Sequence, residues 1–151
     1  MSANPQPTQH NVKQVVPFLS VADMQRSLHF YLDGLGFTMK NQWIPDDRIR
    51  WCWLELGGAA LMLQEYLREG PHAPGNRGAL GLGVSLSFQC LDALALYQEF
   101  MAKGLAPSEP FVGNHMWVTH LDDPDGYRVE FESPTDVPEE TKLSDLKHYV
   151  E

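Results

Sequence analysis

Cysteine, basic side chains and long hydrophobic runs are all scarce in this chain of 151 residues. Its two cysteines, Cys52 and Cys90, lack C-x-x-C partners, which argues against a thiolate zinc site. No stretch approaches the ~18 consecutive apolar residues that a membrane span requires. The polar amino terminus also lacks the basic region and apolar run of a secretory signal. We therefore expect a cytoplasmic protein whose two thiols are buried and reduced.

Acidic residues outnumber basic ones by 20 to 11, which gives a net charge of -9. Nucleic acids and anionic membranes would be repelled by this charge, so we expect neither as a partner. A cationic small molecule is compatible with it, although many proteins are acidic simply to stay soluble. No phosphate-binding loop, dinucleotide fingerprint or Ser-His-Asp arrangement is present, so no catalytic residue is assigned.

The most informative feature that the chain does contain is an internal repeat. In each half a strand-like segment precedes a helical one, and further apolar segments follow. A unit of roughly 65 residues has a marginal core by itself, so the halves should share a core or pair with a second chain. The matched segments are Val15–Val21 with Leu82–Phe88, Met24–Leu32 with Leu91–Met101, and Trp51–Gln64 with Trp117–Glu130.

The repeat predicts an α+β fold of two tandem βαβββ modules that form a curved mixed sheet, with helices outside and a concave cleft inside. We expect a flexible lead over residues 1–13, a single domain over 14–134 and an acidic tail over 135–151 that either packs or stays mobile. Within the domain, the predicted modules span residues 14–66 and 81–134, and a linker rich in Gly and Pro spans 67–80.

Alternation of polar and apolar residues predicts which side chains of each strand face the cleft. In the segment after Gly58, Leu61 and Leu63 form the apolar side, so Met62 and Gln64 should face the cleft. The segment from Met116 is ambiguous, since the repeat favours Trp117 and Thr119 but polarity favours His120. The residues predicted to line the cleft are Phe18, Trp51, Trp53, Met62, Gln64, Ser85, Ser87, Trp117, His120 and Glu130.

Two motifs resemble the vicinal oxygen chelate superfamily of glyoxalase I, bleomycin-resistance proteins and extradiol dioxygenases. The segment VPFLSVADMQRSLHFYLDGLGF at 16–37 resembles the family's first strand and helix, and HLDDPDGYRVEFESP at 120–134 resembles its closing hairpin. The resemblance covers residues 14–134 and implies paired modules and a homodimer. It leaves the activity open, because the fold hosts isomerases, dioxygenases, thiol transferases and non-catalytic binders.

The resemblance also implies four cleft positions at which metal-using members place His, Glu or Gln, His and Glu. Residue by residue, these positions fall on Val16, Gln64, Gly83 and Glu130. Val and Gly offer no side-chain donor, and the remaining amide and carboxylate fall short of the three protein ligands of a catalytic divalent site. We therefore expect no metal cofactor. The alternative is one divalent ion held by Gln64, Glu130 and a displaced His120.

The V-P-x-L start of the first strand resembles the bleomycin-resistance branch, whose members sequester a cationic, partly planar glycopeptide in a dimer cleft without metal. Aromatic faces stack on planar groups and attract cations, and carboxylates add long-range attraction. The expected function is therefore metal-free binding of a small aromatic or cationic molecule by a non-enzymatic homodimer. One alternative is a metal-dependent glyoxalase-like lyase or isomerase, or a dioxygenase, that uses Gln64 and Glu130. Another is a scaffold with a vestigial cleft.

Overall fold

A computed structural model describes residues 10–66 and 80–146, and their elements repeat the order βαβββ. The first module contains β1 (Phe18–Val21), α1 (Met24–Leu28), β2 (Thr38–Trp43), β3 (Trp51–Leu56) and β4 (Ala59–Glu65). The second contains β5 (Ser85–Gln89), α2 (Ala93–Ala102), β6 (Phe111–Gly113), β7 (Met116–Asp122) and β8 (Arg128–Pro134).

The strands form two four-stranded sheets, with the orders β1-β4-β3-β2 and β5-β8-β7-β6. In each sheet the first strand pairs in parallel with the last strand of its module, and the other pairs are antiparallel. The predicted α+β fold of two mixed βαβββ modules is thus confirmed. The expected curved sheet is divided in two, and β1 and β5 are edge strands of separate sheets.

The first helix begins as predicted and then widens. The Asp23 side chain caps it by accepting a hydrogen bond from the Arg26 N–H at 3.3 Å. After Leu28 the chain continues as a π-helix over His29–Gly34, so the helical segment runs two residues beyond the predicted Leu32. Apolar periodicity does not indicate this widening, because a π-helix is a rare and short local variant of the α-helix.

The remaining boundaries shift by a few residues. Asp92 caps α2 by accepting from the Ala95 N–H at 3.0 Å, so this helix starts at Ala93 instead of Leu91. The predicted strand from Leu82 starts at Ser85, because a turn precedes it in which Gly83 has φ +81°. The predicted strand from Val15 likewise starts at Phe18.

The two modules share one hydrophobic core, as the marginal size of a single repeat suggested. The largest cluster of buried residues joins Leu19, Val21 and Tyr31 of the first module to Val129 and Phe131 of the second. An aromatic pair bridges the modules, since the ring centroids of Phe37 and Phe88 are 5.9 Å apart. Phe88 in turn stacks on Phe131 of the same module, with a centroid distance of 5.2 Å.

A buried hydrogen-bond network also connects the modules. The Tyr31 hydroxyl donates to Asp123 Oδ2 at 2.7 Å, and Asp123 Oδ1 accepts from the backbone N–H groups of Asp125 and Tyr127. The Tyr127 hydroxyl then donates to the Ser20 carbonyl at 3.1 Å. Burial raises the pKa of the Asp123 carboxyl despite these donors. The Asp-Pro-Asp-Gly turn therefore fixes the second module against the first helix and strand. We call this network the inter-module latch.

The described part of the acidic tail packs against the second sheet. The Val112 N–H donates to the Thr141 carbonyl at 2.9 Å, and the Glu140 N–H donates to the Val112 carbonyl at 2.8 Å. Leu143 lies in a second cluster of buried residues. The predicted linker falls outside the described residues except at Leu80, as does most of the predicted lead. Within the described ranges, no helix is long and apolar enough to cross a membrane.

Candidate functional site

The open face of the first sheet is rich in aromatic side chains. Strand pairing places Ser20, Gln64 and Trp51 in one row across the sheet, and Phe18, Met62 and Trp53 in the next. Phe18 is 56% exposed, and Trp43, which pairs with Trp51, is 55% exposed. We call this surface the aromatic face and define it by Phe18, Trp43, Trp51, Trp53, Met62 and Gln64. Glu55 lies on the same side of β3 and accepts from the Trp53 indole N–H at 3.0 Å.

The opposite side of the first sheet is covered, as alternation predicted. Leu54, Leu61 and Leu63 on that side are at most 1% exposed. Cys52 lies among them, and burial raises the pKa of its thiol to about 11. This thiol therefore stays protonated at neutral pH and serves as a core side chain.

The open face of the second sheet is polar and acidic. Glu130 pairs with Ser87 on one side and with His120 on the other, and Glu132 pairs with Gln89. The Gln89 amide donates to Glu132 Oε2 and to Ser87 Oγ, both at 3.0 Å. We call this surface the acidic face; it consists of Ser85, Ser87, Gln89, His120, Asp122, Arg128, Glu130 and Glu132.

The charges on the acidic face are unevenly paired. Three carboxylates lie there with a single guanidinium, that of Arg128, whose Nε is 3.7 Å from Asp122 Oδ1. Glu132 is held by Gln89, whereas the half-buried Glu130 carboxylate has no hydrogen-bond or ion-pair partner among residues 10–66 and 80–146. Glu130 is consequently the carboxylate best placed to accept a bond from a ligand.

Ser108 orients the imidazole of His120. The Ser108 hydroxyl lies 3.0 Å from His120 Nδ1 and accepts the His120 backbone N–H at 2.9 Å. The Ser108 carbonyl in turn accepts from the Thr119 hydroxyl at 2.7 Å. With Nδ1 engaged, Nε2 is the ring nitrogen available to a ligand beside Glu130. No sequence pattern indicates Ser108, because it lies in a segment without periodicity.

The prediction that Trp117 faces the cleft is wrong. Trp117 is 6% exposed on the covered side of the second sheet, where it packs in the cluster that contains Ala93 and Leu143. Thr119, which was assigned to the cleft with it, is completely buried. The alternative based on polarity is the correct one, since His120 lies on the open face.

Different hairpin lengths explain the error. Gln64 pairs with Trp51, 13 positions earlier, but Glu130 pairs with His120, only 10 positions earlier. The first hairpin closes over two glycines, whereas the second needs the longer loop between Asp122 and Arg128. A shift of three residues is odd and moves each side chain to the other face. The longer Asp-rich loop is the sequence signal that could have revealed this shift.

The structure thus divides the predicted site residues between two surfaces. Five of them lie on the aromatic face and four on the acidic face. The alternative metal ligands are divided too, since His120 and Glu130 are neighbours but Gln64 belongs to the other sheet. In the part of the chain that the structure describes, no three His, Cys, Asp or Glu side chains are grouped to hold a metal.

A groove of about 770 Å³ between the modules was not predicted. Its walls are β5, the turn between β3 and β4, and residues 14–17. Of the predicted site residues, only Ser85 and Ser87 line it, and none of its lining residues is charged. The groove depends on how two modules pack, which the pattern within each strand does not encode.

The fold and the two open faces define a class of protein: an α+β domain of paired βαβββ modules whose sheets each leave one face uncovered. Residues 11–131 match the family model of the Glyoxalase/Bleomycin resistance protein/Dioxygenase superfamily. The chain therefore belongs to this superfamily, as the two sequence motifs suggested. No curated protein sequence matches it.

Solved structures with the same fold come from several bacteria. A glyoxalase/bleomycin resistance protein/dioxygenase from Nocardioides is 18% identical, with a TM-score of 0.65 over 90% of this chain and 93% of that one. TnmS3, an antibiotic binding protein from Streptomyces sp. CB03234, is 22% identical, with a TM-score of 0.60; the match covers 83% of this chain and 100% of TnmS3. TioX from Micromonospora sp. ML1 is 18% identical, with a TM-score of 0.65; the match covers 82% of this chain and 99% of TioX.

Proposed function

We propose that this protein is a non-enzymatic, metal-free binder that sequesters a small aromatic or cationic molecule in the cytoplasm. The observation that carries the proposal is the contrast between its two open faces. One presents Trp51, Trp53 and Phe18, and the other presents Glu130 beside His120. The description of TnmS3 as an antibiotic binding protein adds support, because that protein has the same fold.

The two faces supply complementary interactions. A planar group can stack on an indole ring, and a cation over the same ring gains about 0.5–2 kcal/mol. The unpaired Glu130 carboxylate can accept a charge-assisted hydrogen bond, which is roughly twice as strong as a neutral one. A ligand with a planar part and a cationic part would use both faces.

We propose further that the protein is a homodimer. In a single chain both faces are open, and large apolar side chains such as Phe18, Trp43 and Phe111 remain 40–56% exposed. Such exposed apolar surface is characteristic of interaction sites. A second copy that sets its acidic face opposite the aromatic face of the first would create two enclosed, equivalent sites.

The chemistry of the donor set supports binding without metal. Val16 and Gly83, at two of the family's four ligand positions, have no side-chain donor. A metal-dependent lyase, isomerase or dioxygenase is a second candidate, favoured only by the adjacency of His120 and Glu130. It requires that Glu130→Ala abolish the uptake of a divalent ion.

Tryptophan fluorescence during titration with bleomycin, a cationic and partly planar glycopeptide, tests the binding function. We expect saturable quenching, and Glu130→Gln should weaken binding about tenfold, since one charged hydrogen bond is worth about 1.5–3 kcal/mol. Glu99→Gln on α2 removes the same charge far from both faces and should leave affinity unchanged. Equal affinities of the two variants would refute the role of Glu130. Stoichiometric divalent metal in protein purified without chelator would refute the metal-free function.

A further inference from the structure

A second cavity, of about 630 Å³, lies between the modules on the helical side of the sheets. The first module contributes residues of its helical segment, from Gln25 to Gly34, and the second contributes Lys103, Leu105 and Pro124. The volume is within the range of ~300–1,000 Å³ that is usual for small-molecule sites, which often lie where two units meet. None of its lining residues belongs to the aromatic face, the acidic face or the larger groove.

The π-helix forms one wall of this cavity. Four of its six residues line it, namely His29, Phe30, Asp33 and Gly34. The widened turn is closed by the Leu35 N–H, which donates to the Phe30 carbonyl at 2.9 Å. Helical turns of this width are rare and frequently lie at functional sites, so this wall is the part of the helix layer where a ligand site is most expected.

The cavity has an apolar floor and a charged rim. Phe30, Leu105 and Pro124 are half-buried and Gly34 is buried, whereas the charged lining residues are exposed. The Gly34 carbonyl accepts from Lys103 Nζ at 3.0 Å, so this polar group of the floor is already satisfied. An apolar or aromatic group can therefore enter the floor without leaving that carbonyl buried and unpaired.

Arg26 is the rim charge that has no partner within the described ranges. His29 Nδ1 lies 2.8 Å from Asp33 Oδ2, so the rim carboxylate is engaged. Lys103 Nζ lies 3.4 Å from Glu99 Oε1 on α2. The Arg26 guanidinium, in contrast, makes neither an ion pair nor a hydrogen bond among residues 10–66 and 80–146.

Two neighbouring carboxylates are directed at backbone groups instead of at this guanidinium. Asp23 Oδ1 accepts from the Arg26 N–H at 3.3 Å, and Asp125 Oδ1 accepts from the Ala22 N–H at 3.1 Å. The guanidinium is therefore free to form the two parallel hydrogen bonds with which arginine binds a carboxylate. Arg26 precedes Phe30 by four residues, a spacing that places both side chains on one side of the helix.

We propose that this cavity binds a small monoanion, namely a carboxylate attached to an apolar, ring-containing body. The carboxylate pairs with Arg26 at the rim, and the ring packs on Phe30, Leu105 and Pro124 in the floor. One uncompensated cation matches one negative charge, which favours a monoanion over a phosphate dianion. The proposed dimer joins the open faces of the sheets, so it leaves this cavity accessible. The site is independent of the binding function proposed for those faces.

The naphthoate anion and the uncharged naphthamide provide the test, because they share one ring system and differ in charge. Binding is followed by two-dimensional amide NMR of the full chain. We expect naphthoate to bind about tenfold more tightly than naphthamide, since a hydrogen bond to a charged group is worth more than a neutral one. The perturbed signals should be those of Phe30, Gly34 and Leu105, and the signals of Trp51 and Trp53 should stay unchanged.

Arg26→Gln tests the same contact from the protein side. Glutamine and arginine have similar helix propensities, so circular dichroism should show a folded protein. We expect naphthoate to bind about tenfold more weakly to this variant and naphthamide to bind within about twofold of its original affinity. Lys142→Gln is the matched control, because it removes one positive charge from an exposed residue that does not line the cavity. It should leave both affinities unchanged.

Four outcomes would overturn the proposal: naphthoate does not bind, it binds no more tightly than naphthamide, it perturbs Trp51 and Trp53 instead of the cavity, or folded Arg26→Gln binds it as the original protein does. If Arg26→Gln does not fold, the two probes and the position of the perturbed signals decide alone. If naphthoate fails to bind and Arg26→Gln converts a dimer to a monomer in analytical ultracentrifugation, a second copy occupies this cavity instead. Bleomycin titration reports on the open faces, so its result is independent of these outcomes.

Discussion

The inter-module latch makes a strong prediction for Tyr31→Phe. This substitution removes only the hydroxyl that donates to Asp123 Oδ2 at 2.7 Å, in a place where Tyr31 is 0% and Asp123 is 5% exposed. A hydrogen bond to a charged group contributes about 1.5–3 kcal/mol, and a buried acceptor left without its donor is costly. Asp123 Oδ1 keeps its two backbone donors, which limits the loss. We expect the free energy of unfolding to fall by about 2 kcal/mol.

The melting temperature should fall by roughly 4–8 °C, because each kcal/mol shifts a domain of this size by about 2–4 °C. Chemical denaturation followed by circular dichroism at pH 7 measures the free energy directly. Tyr97→Phe is the matched control. Tyr97 is half-buried on α2, and within the described residues its hydroxyl makes no hydrogen bond. This control should lose less than about 0.5 kcal/mol, as is usual for substitutions that break no specific interaction.

The loss in free energy of unfolding caused by Tyr31→Phe should also depend on pH. Burial raises the pKa of Asp123 above its ordinary 3.8, and the Tyr31 hydroxyl partly opposes that rise, so its removal raises the pKa of Asp123 further. A carboxyl with a raised pKa in the folded state loses stability as the pH rises through that pKa. The stability lost on substitution should therefore be largest at neutral pH and become smaller as the pH falls towards 4. A loss below about 0.5 kcal/mol, or one that is equal at pH 7 and pH 4.5, would refute this account of the latch.

Three further substitutions test contacts outside the latch. The Glu65 carboxylate, 7% exposed, accepts from Arg48 at 2.8 Å and Arg50 at 2.7 Å, so we expect Glu65→Gln to lower the free energy of unfolding by about 2 kcal/mol. Asp46→Asn is the control, because it weakens an exposed ion pair with Arg50 and should cost less than about 1 kcal/mol. Urea denaturation measures both variants, and equal losses of stability would contradict the role of burial. Leu143→Ala should cost about 2–3 kcal/mol in thermal denaturation if the tail belongs to the core, and no change would show that it does not.

Sequence patterns predicted those parts of the fold that depend on side chains within one segment. Alternation assigned the covered and open sides of β4 correctly, and Asp23 marked the start of α1. The patterns failed where the outcome depended on pairing between segments. Trp117 was placed on the wrong side because strand register depends on the length of the hairpin loop. Division into two sheets was also beyond prediction, since backbone hydrogen bonds at a strand edge leave no mark on residue type.

Equivalent rows of the two sheets show how the repeat has diverged. Ser20, Gln64 and Trp51 in the first sheet correspond to Ser87, Glu130 and His120 in the second. The small edge residue is the same in both rows, whereas an amide beside an indole has become a carboxylate beside an imidazole. In the proposed dimer each site would be enclosed by one row of each kind. A ligand with a planar end and a cationic end would then favour one orientation, because the reversed orientation sets an uncharged ring against the Glu130 carboxylate and loses its charge-assisted hydrogen bond.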